Sequence, residues 1–405
     1  MALMDPQPGL IEIHVRQGHP DFLDLPWHAP LARWGESCKR LVEVERGLSR
    51  HEVVFASYSG AIYAFKELPL RAGEREYDLL RELEDRKLPS VTPAGHARAR
   101  LEGADGPRVS VLITRFLESS LPYRTLFMNT GLERYRDRLL DAIAGLLVRL
   151  HLAGFYWGDC SLSNTLFRRD AGELQAFLVD AETSEVHETL SDGQRLQDVM
   201  IMMENVSGEL ADLASQVELP NALGAQETGA TIRERYERLW AEINREEAIA
   251  TDENYRIHER IRALNELGFS VGEVELIATG VGSQVRMRTI VTDRDYHRHM
   301  LHSLTGLVAG DRQAALMLNE VREMKATLSQ GLNRSVPMSM AAYRWLHERY
   351  NPAIQALMPL TARSEDLPEV YCQVLEHKWY LSERAHADVG LKHAIEDYVK
   401  RFQSV

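Results

Sequence analysis

His151-Leu152-Ala153-Gly154-Phe155-Tyr156-Trp157-Gly158-Asp159-Cys160-Ser161-Leu162-Ser163-Asn164 is the stretch on which the reading of this chain turns. It leaves an amphipathic run, Leu132 to Leu152, in which Tyr135, Leu139, Ile143, Leu146, Leu147 and Leu150 fall on one side of a helix. Gly154 is the residue type expected just past a helix end. A polar loop follows, with Asp159 and Asn164 five residues apart. Thr165-Leu166-Phe167 and Gln175 to Val179 then read as a short hairpin spanning Arg168-Arg169-Asp170-Ala171-Gly172, and Asp180 ends its apolar second strand. The Asp–Asn spacing alone is common. Set between a helix end and a hairpin, it is specific.

Working outward, Leu41 to Phe65 reads as three consecutive strands. These are Leu41–Glu45, ending near Gly47, then His51–Tyr58 and Ala61–Lys66, the last two joined at Ser59-Gly60. After Pro69, Glu74 to Leu88 is helical, with Tyr77, Leu79, Leu80 and Leu83 recurring at helical spacing among charges. Val109 to Phe116 is a further strand, and a helix is expected from roughly Gly193 to Leu213. The first 30 residues, with Ile11-Glu12-Ile13-His14-Val15 and a stretch around Leu25-Pro26-Trp27, read as an extended arm packed on the body.

Phosphoryl transfer from a nucleotide asks for a cation on the phosphates, oxygen ligands for Mg²⁺, and a group to orient the acceptor hydroxyl. Each part has a candidate, in the right chain order. Ala64 and Lys66 share one face of their strand, so Ala64 would roof an adenine while Lys66 reaches the phosphates. The plain alternative is a solvated lysine at a strand end. Glu76 on the next helix would hold Lys66 by an ion pair, with Glu74 as competitor. Asp159 and Asn164 match the HRDxxxxN loop, in which the Asp orients the nucleophile and the Asn binds metal. Asp180, 16 residues after Asn164, stands where a second metal ligand is expected, although such an Asp is otherwise a turn residue.

On these motifs the segment resembles the lipopolysaccharide-kinase-like branch of the protein-kinase superfamily. The full chain looks like a bacterial family that joins such a domain to a C-terminal domain of unknown function. The resemblance covers about half the chain and implies an α+β, two-lobed fold: a small antiparallel sheet lobe plus a helical lobe. It implies ATP and Mg²⁺, with Lys66 on the phosphates, Asp159 catalytic, and Asn164 and Asp180 on the metal. Adenine would sit at the hinge near Arg115-Phe116-Leu117-Glu118, so Phe116 and Leu117 join Ala64, Glu76 and Gly47 as nucleotide-site residues. Asp198 is either the buried aspartate that braces the catalytic loop or a surface residue.

The departures are specific. The first hairpin, Arg46-Gly47-Leu48-Ser49-Arg50-His51, carries one glycine where the family has GxGxxG. Trp157 and Gly158 replace the HRD histidine and arginine, and the metal motif reads Asp180-Ala181-Glu182. About a dozen residues separate Asp180 from the next helix, leaving little room for an activation loop or peptide groove. The expectation is a phosphotransferase acting on a hydroxyl of a small molecule, glycan or narrow protein target. The alternative is a nucleotide-binding pseudokinase with a regulatory or sensing role.

Composition bounds the rest. The chain has 405 residues, 44% hydrophobic and 26% charged, with a formal net charge of −13. That balance disfavours nucleic acid as a partner, because phosphate-backbone binding needs a surplus of cations. No apolar run reaches the ~20 residues of a membrane span. Cys38, Cys160 and Cys372 are too far apart for a disulfide framework or CxxC site, and the N-terminus lacks a secretory signal, so a cytoplasmic protein is expected. The domain reading is 1–30 arm, 31–218 kinase-like, and 228–405 a mainly helical domain offering a surface for a protein partner. Within that last part, a strand pair is expected near Val274–Thr279 and Gln284–Thr292. Arg286, Arg288, Arg294 and Arg298 read as an anion patch or, more simply, a solvated sheet face. His299 and His302 share a helix face without a ligand pattern. Tyr343, Trp345, Tyr350, Tyr371, Trp379 and Tyr380 read as core.

Overall fold

The computed structural model describes residues 11–44, 50–101, 106–128, 134–216, 224–250, 254–267, 269–278, 284–293, 295–361 and 363–402. The chain divides into two compact units: Met1–Arg168 with Gln175–Leu239, and Arg169–Leu174 with Trp240–Val405.

The first unit opens with β1 (Ile11–Val15), β2 (Val53–Tyr58), β3 (Ala61–Pro69), α1 (Leu70–Asp85), β4 (Thr92–Arg100) and β5 (Arg108–Arg115). The strands form an antiparallel sheet in the order β1-β4-β5-β3-β2. Ser59 and Gly60 link β2 to β3 with φ of 50° and 86°, the two positive values a tight hairpin turn needs. Tyr63 and Phe65 point to one face, where Phe22, Leu25, Trp27, Leu31 and Trp34 pack over them. Burying each of these large side chains stabilises the lobe by roughly 1.5–3 kcal/mol. The expected arm is therefore an integral part of the sheet lobe: one edge strand and an aromatic cover.

Two strand expectations change. Leu41–Glu45 is not a strand, since Leu41 makes only an isolated bridge to Ala56, and Glu45 to Ser49 lie outside the described residues. β4 was not expected at all. Its sequence, TPAGHARAR, is poor in strand formers. Those small residues serve packing, because a Cβ on Gly95 would lie 2.4 Å from the His14 carbonyl of β1. The helix expected at 74–88 starts earlier, at Leu70, directly after Pro69.

The helical lobe comprises β6 (Ser120–Pro122), α2 (Tyr123–Met128), α3 (Arg134–Leu152), β7 (Phe155–Tyr156), β8 (Thr165–Asp170), β9 (Glu173–Leu178), β10 (Glu185–Val186), α4 (Asp192–Gln216) and α5 (Ala225–Asn244). β6, β8 and β9 form one small sheet, and β7 and β10 another. Composition had suggested a break between 218 and 228, yet the first unit continues through α5 to Leu239. Ile232 and Tyr236 are buried, which ties that helix to the lobe. The first unit is thus α+β: an antiparallel sheet lobe, then a helical lobe.

The second unit begins with β11 (Glu247–Ala250), α6 (Asn254–Glu266), β12 (Ser270–Ala278) and β13 (Gln284–Asp293), whose strands pair in the order β11-β13-β12. It continues with α7 (Tyr296–Thr305), α8 (Asp311–Leu332), α9 (Met338–Trp345), α10 (Asn351–Leu357), α11 (Leu367–Ala385) and α12 (Leu391–Phe402). Trp345, Tyr350 and Tyr371 are core, but Tyr343, Trp379 and Tyr380 are exposed, because successive helical positions turn away from the buried stripe. His299 and His302 are exposed as well. Arg294 and the side chains of Arg286 and Arg288 lie outside what the structure describes. Asp170, at the tip of the β8–β9 hairpin, belongs to this unit and accepts the α8 amides of Arg312 (3.0 Å) and Gln313 (2.9 Å). Among the described residues, no helix is long and apolar enough to cross a membrane.

Candidate active site

β3 places Lys66 on the sheet face opposite the aromatic cover, in register with Val53 and Leu112. Its Nζ donates to Glu76 Oε2 (3.0 Å) and Oε1 (3.1 Å) and to Asp180 Oδ2 (2.6 Å). Glu76, from α1, is completely buried. Its competitor Glu74 is taken by Arg98 at 2.5 Å. Burial, with the Asp180 charge adding to it, pushes the Glu76 carboxyl up to about 7, while Lys66 pulls it back. Burial also opposes the Lys66 charge, yet Glu76 and Asp180 outweigh it and hold the ammonium above its ordinary range. The lysine is therefore a charged, positioned group and not a solvated strand end.

The loop that carries Asp159 is pinned from beneath by α4. Asp198, fully buried, accepts the amides of Trp157 (2.7 Å) and Gly158 (2.8 Å) and the His151 ring at 3.1 Å. The network assigns His151 as the neutral Nε2–H form, because its Nδ1 faces the Tyr236 hydroxyl at 2.7 Å. Burial drives the imidazole below its ordinary range, although Asp198 draws it upward. Gly158 has φ +80°, and a Cβ there would meet the Thr183 carbonyl at 2.9 Å. Trp157 turns inward, and its indole N–H donates to the Asp180 carbonyl at 3.1 Å. The residues replacing the HRD histidine and arginine thus tie the loop to the segment bearing Asp180.

Asn205 and Glu209, both from α4, complete the support. Asn205 donates to the Cys160 carbonyl (3.0 Å) and to Asp159 Oδ1 (3.4 Å). Glu209 accepts the Leu162 and Ser163 amides at 2.9 Å and the Ser163 hydroxyl. Neither residue stood out in the sequence. The available signal was a polar stripe, Asp198, Asn205 and Glu209, at i, i+7 and i+11 beside the buried Met202, Val206 and Leu210.

Asn164 donates Nδ2 to the Asp159 carbonyl (3.0 Å) and to Asp159 Oδ2 (3.2 Å), which leaves its amide oxygen for a cation. The Val179 amide donates to the Asn164 carbonyl at 3.0 Å, setting Asn164 beside Asp180. Amide and carboxylate oxygens are the hard donors Mg²⁺ takes, so these residues fit that ion. Glu182 adds a carboxylate, and oxygens of Glu76, Asp180 and Glu182 lie within 4.8 Å of one another. Ala64 shares the Lys66 face with Phe55, its register partner. Phe116 follows β5, donates its amide to Ile62 at 2.9 Å, and meets the Phe55 ring edge to face. The Leu117 carbonyl accepts the Ser120 hydroxyl. Gly47 lies outside the described residues. Two basic residues that the sequence reading passed over, Arg50 and His51, contact Asp159 and Glu182 respectively.

Residues 58–209 match the lipopolysaccharide kinase (Kdo/WaaP) family, and residues 238–402 match a domain of unknown function, DUF4032. No curated protein sequence matches the chain significantly. Similar solved structures include WaaP in complex with acyl carrier protein, at 15% identity and TM-score 0.37, covering 63% of this chain and 98% of that one. Another is an aminoglycoside-3'-phosphotransferase of type VIII, at 18% identity and TM-score 0.34, covering 54% of this chain and 91% of that one. The family match, which spans every residue from Lys66 to Glu209 described above, supports a kinase-like phosphotransferase.

Proposed function

We propose that the chain is an ATP- and Mg²⁺-dependent phosphotransferase acting on a hydroxyl of a small molecule, a glycan or a narrow protein target. One observation carries this reading: Lys66 is held between Glu76 and Asp180, in the same unit as an Asp159 carboxylate fixed by Asn164 and Asn205. Lys66 binds phosphate oxygens, and Glu76 keeps its ammonium on station. Asn164 and Asp180 hold Mg²⁺, which neutralises phosphate charge when bound. Asp159 accepts the acceptor's hydroxyl hydrogen. As the new oxygen–phosphorus bond forms and the terminal phosphoryl leaves its bridging oxygen, Asp159 takes that proton. Ala64, Phe55, Phe116 and Leu117 supply the surface for adenine.

The segment between Asp180 and α4 supports that acceptor class. It consists of turns and the two-residue strand β10, pinned to β7. So little chain offers no extended groove for a peptide. The DUF4032 unit would select the acceptor or a protein partner. A second reading, a nucleotide-binding pseudokinase, draws on the single glycine of the 46–51 segment.

The test is a thermal-shift titration with ATP, with and without Mg²⁺, on wild type, Lys66→Met and Asp180→Ala. Ligand at ~100 Kd raises stability by about 2.7 kcal/mol. A Mg²⁺-dependent shift lost in both variants is expected. No shift at millimolar ATP refutes both readings. Slow ATP hydrolysis abolished by Asp159→Ala separates enzyme from pseudokinase.

A further inference from the structure

Arg50 and His51 lie just before β2, separated from it by Glu52, and outside the family match of residues 58–209. The Arg50 side chain is 82% exposed, yet its Nη2 stands 2.6 Å from Asp159 Oδ2. His51 Nε2 stands 3.2 Å from Glu182 Oε2. Two adjacent basic residues thus reach two carboxylates of the site. Asp159 is the group meant for the acceptor hydroxyl, and Glu182 lies beside Asp180.

The local sequence gives that position chemical meaning. Residues 46–51 hold one glycine where a glycine-rich loop has three, and it is with backbone amides that such a loop cradles phosphates. A guanidinium offers the same service through its side chain, because its forked N–H donors match two phosphate oxygens at once. The carboxylate now holding Arg50 is a weaker claimant. Arg50 gives Asp159 a single contact from a solvent-exposed position, where an ion pair contributes little and exchanges cheaply.

We propose that Arg50, with His51 beside it, grips the terminal phosphates of the nucleotide, doing with side-chain donors what a glycine-rich loop does with backbone amides. This rests on the phosphotransferase reading. Asp159 is the anion that the guanidinium contacts in the structure. When phosphate takes the guanidinium, Asp159 Oδ2 is uncovered for the acceptor hydroxyl, while Asn164 and Asn205 keep the carboxylate in place. Nucleotide binding and exposure of the base are then one event.

The experiment is calorimetric titration of ATP and ADP, each with Mg²⁺, into wild type, Arg50→Ala, Arg50→Lys, His51→Gln and Lys66→Met, alongside melting of each unliganded protein. Arg50→Ala is expected to weaken ATP about tenfold or more and to narrow the preference for ATP over ADP. Arg50→Lys should recover part of the loss, and His51→Gln should show a smaller loss of the same kind. Unliganded Arg50→Ala should melt with wild type. Unchanged ATP affinity in Arg50→Ala, with binding lost in Lys66→Met, overturns the clamp and leaves the phosphotransferase reading standing. Equal losses for ATP and ADP also overturn it. Absence of ATP binding by wild type overturns both.

Discussion

Replacing Asp198 by asparagine changes one atom and should destabilise the first unit. The carboxylate accepts three N–H hydrogen bonds over its two oxygens: Oδ1 takes the Gly158 amide, and Oδ2 takes the Trp157 amide and the His151 ring. An Asn side chain must put its NH₂ at one of these positions. One orientation sets it against Gly158, and the other against both Trp157 and His151. Whichever way it turns, at least one donor in a fully buried environment meets a donor. Losing a hydrogen bond to a charged group and leaving its partner unsatisfied costs about 2–4 kcal/mol. For a unit of this size that is a fall in Tm of roughly 5–15 °C. Urea denaturation followed by tryptophan fluorescence reads it directly, since Trp157 is buried beside the substitution. A midpoint within about 0.5 kcal/mol of wild type would refute the claim that Asp198 braces the loop. Asp198→Ala, which strands all three donors, should be worse than Asp198→Asn. The reverse order would equally count against the argument.

His151 predicts a pH dependence. Burial first, against the pull of Asp198, sets its folded pKa below the ordinary value of 6.5. The unfolded chain then binds a proton that the folded chain refuses, so this stability is present above pH 6.5 and is lost as pH falls below it. Urea midpoints between pH 7.5 and 5 should fall for wild type and fall less for His151→Gln; parallel slopes would sink the assignment. In the second unit, Asp170→Ala strips the α8 amides of Arg312 and Gln313 of their acceptor. A loss of about 1–2 kcal/mol is expected, the cost of an N-terminal cap, and thermal melts that superpose with wild type would count against that role.

The candidate catalytic string was legible because its polar residues sit at element ends, where periodicity breaks and spacing becomes informative. Asp159, Asn164 and Asp180 each follow a helix, loop or strand that the apolar pattern already marks. Lys66 was legible from its alternation with Ala64 on one face of a strand that runs on to Pro69, but its choice of Glu76 over Glu74 was not. Both glutamates sit on α1, and only the course of β4, which brings Arg98 to Glu74, separates them. That strand was itself hidden, because Ala94, Gly95, Ala97 and Ala99 carry no strand propensity and are there to let neighbours approach. The aromatic cover over Tyr63 and Phe65 was also invisible, since a few scattered apolar residues before a sheet have no period to read.

The departures from the family pattern then make physical sense together. Where the HRD histidine would stand, Trp157 uses its backbone amide to reach Asp198 and its indole to reach Asp180. The imidazole on Asp198 is supplied from farther back, by His151 at the end of α3. The arginine position has become Gly158, because the chain turns there with φ +80° against the Thr183 carbonyl. A cation does remain beside Asp159, but Arg50 contributes it from the loop before β2 and not from the catalytic loop. Loop rigidity and local positive charge, joined in one tripeptide of the family motif, are here divided among α3, α4 and the edge of the sheet. A reading confined to that motif would score Trp157-Gly158-Asp159 as degenerate. Traced by its hydrogen bonds, the same loop is held at both ends, the positioning that the proposed phosphoryl transfer would require.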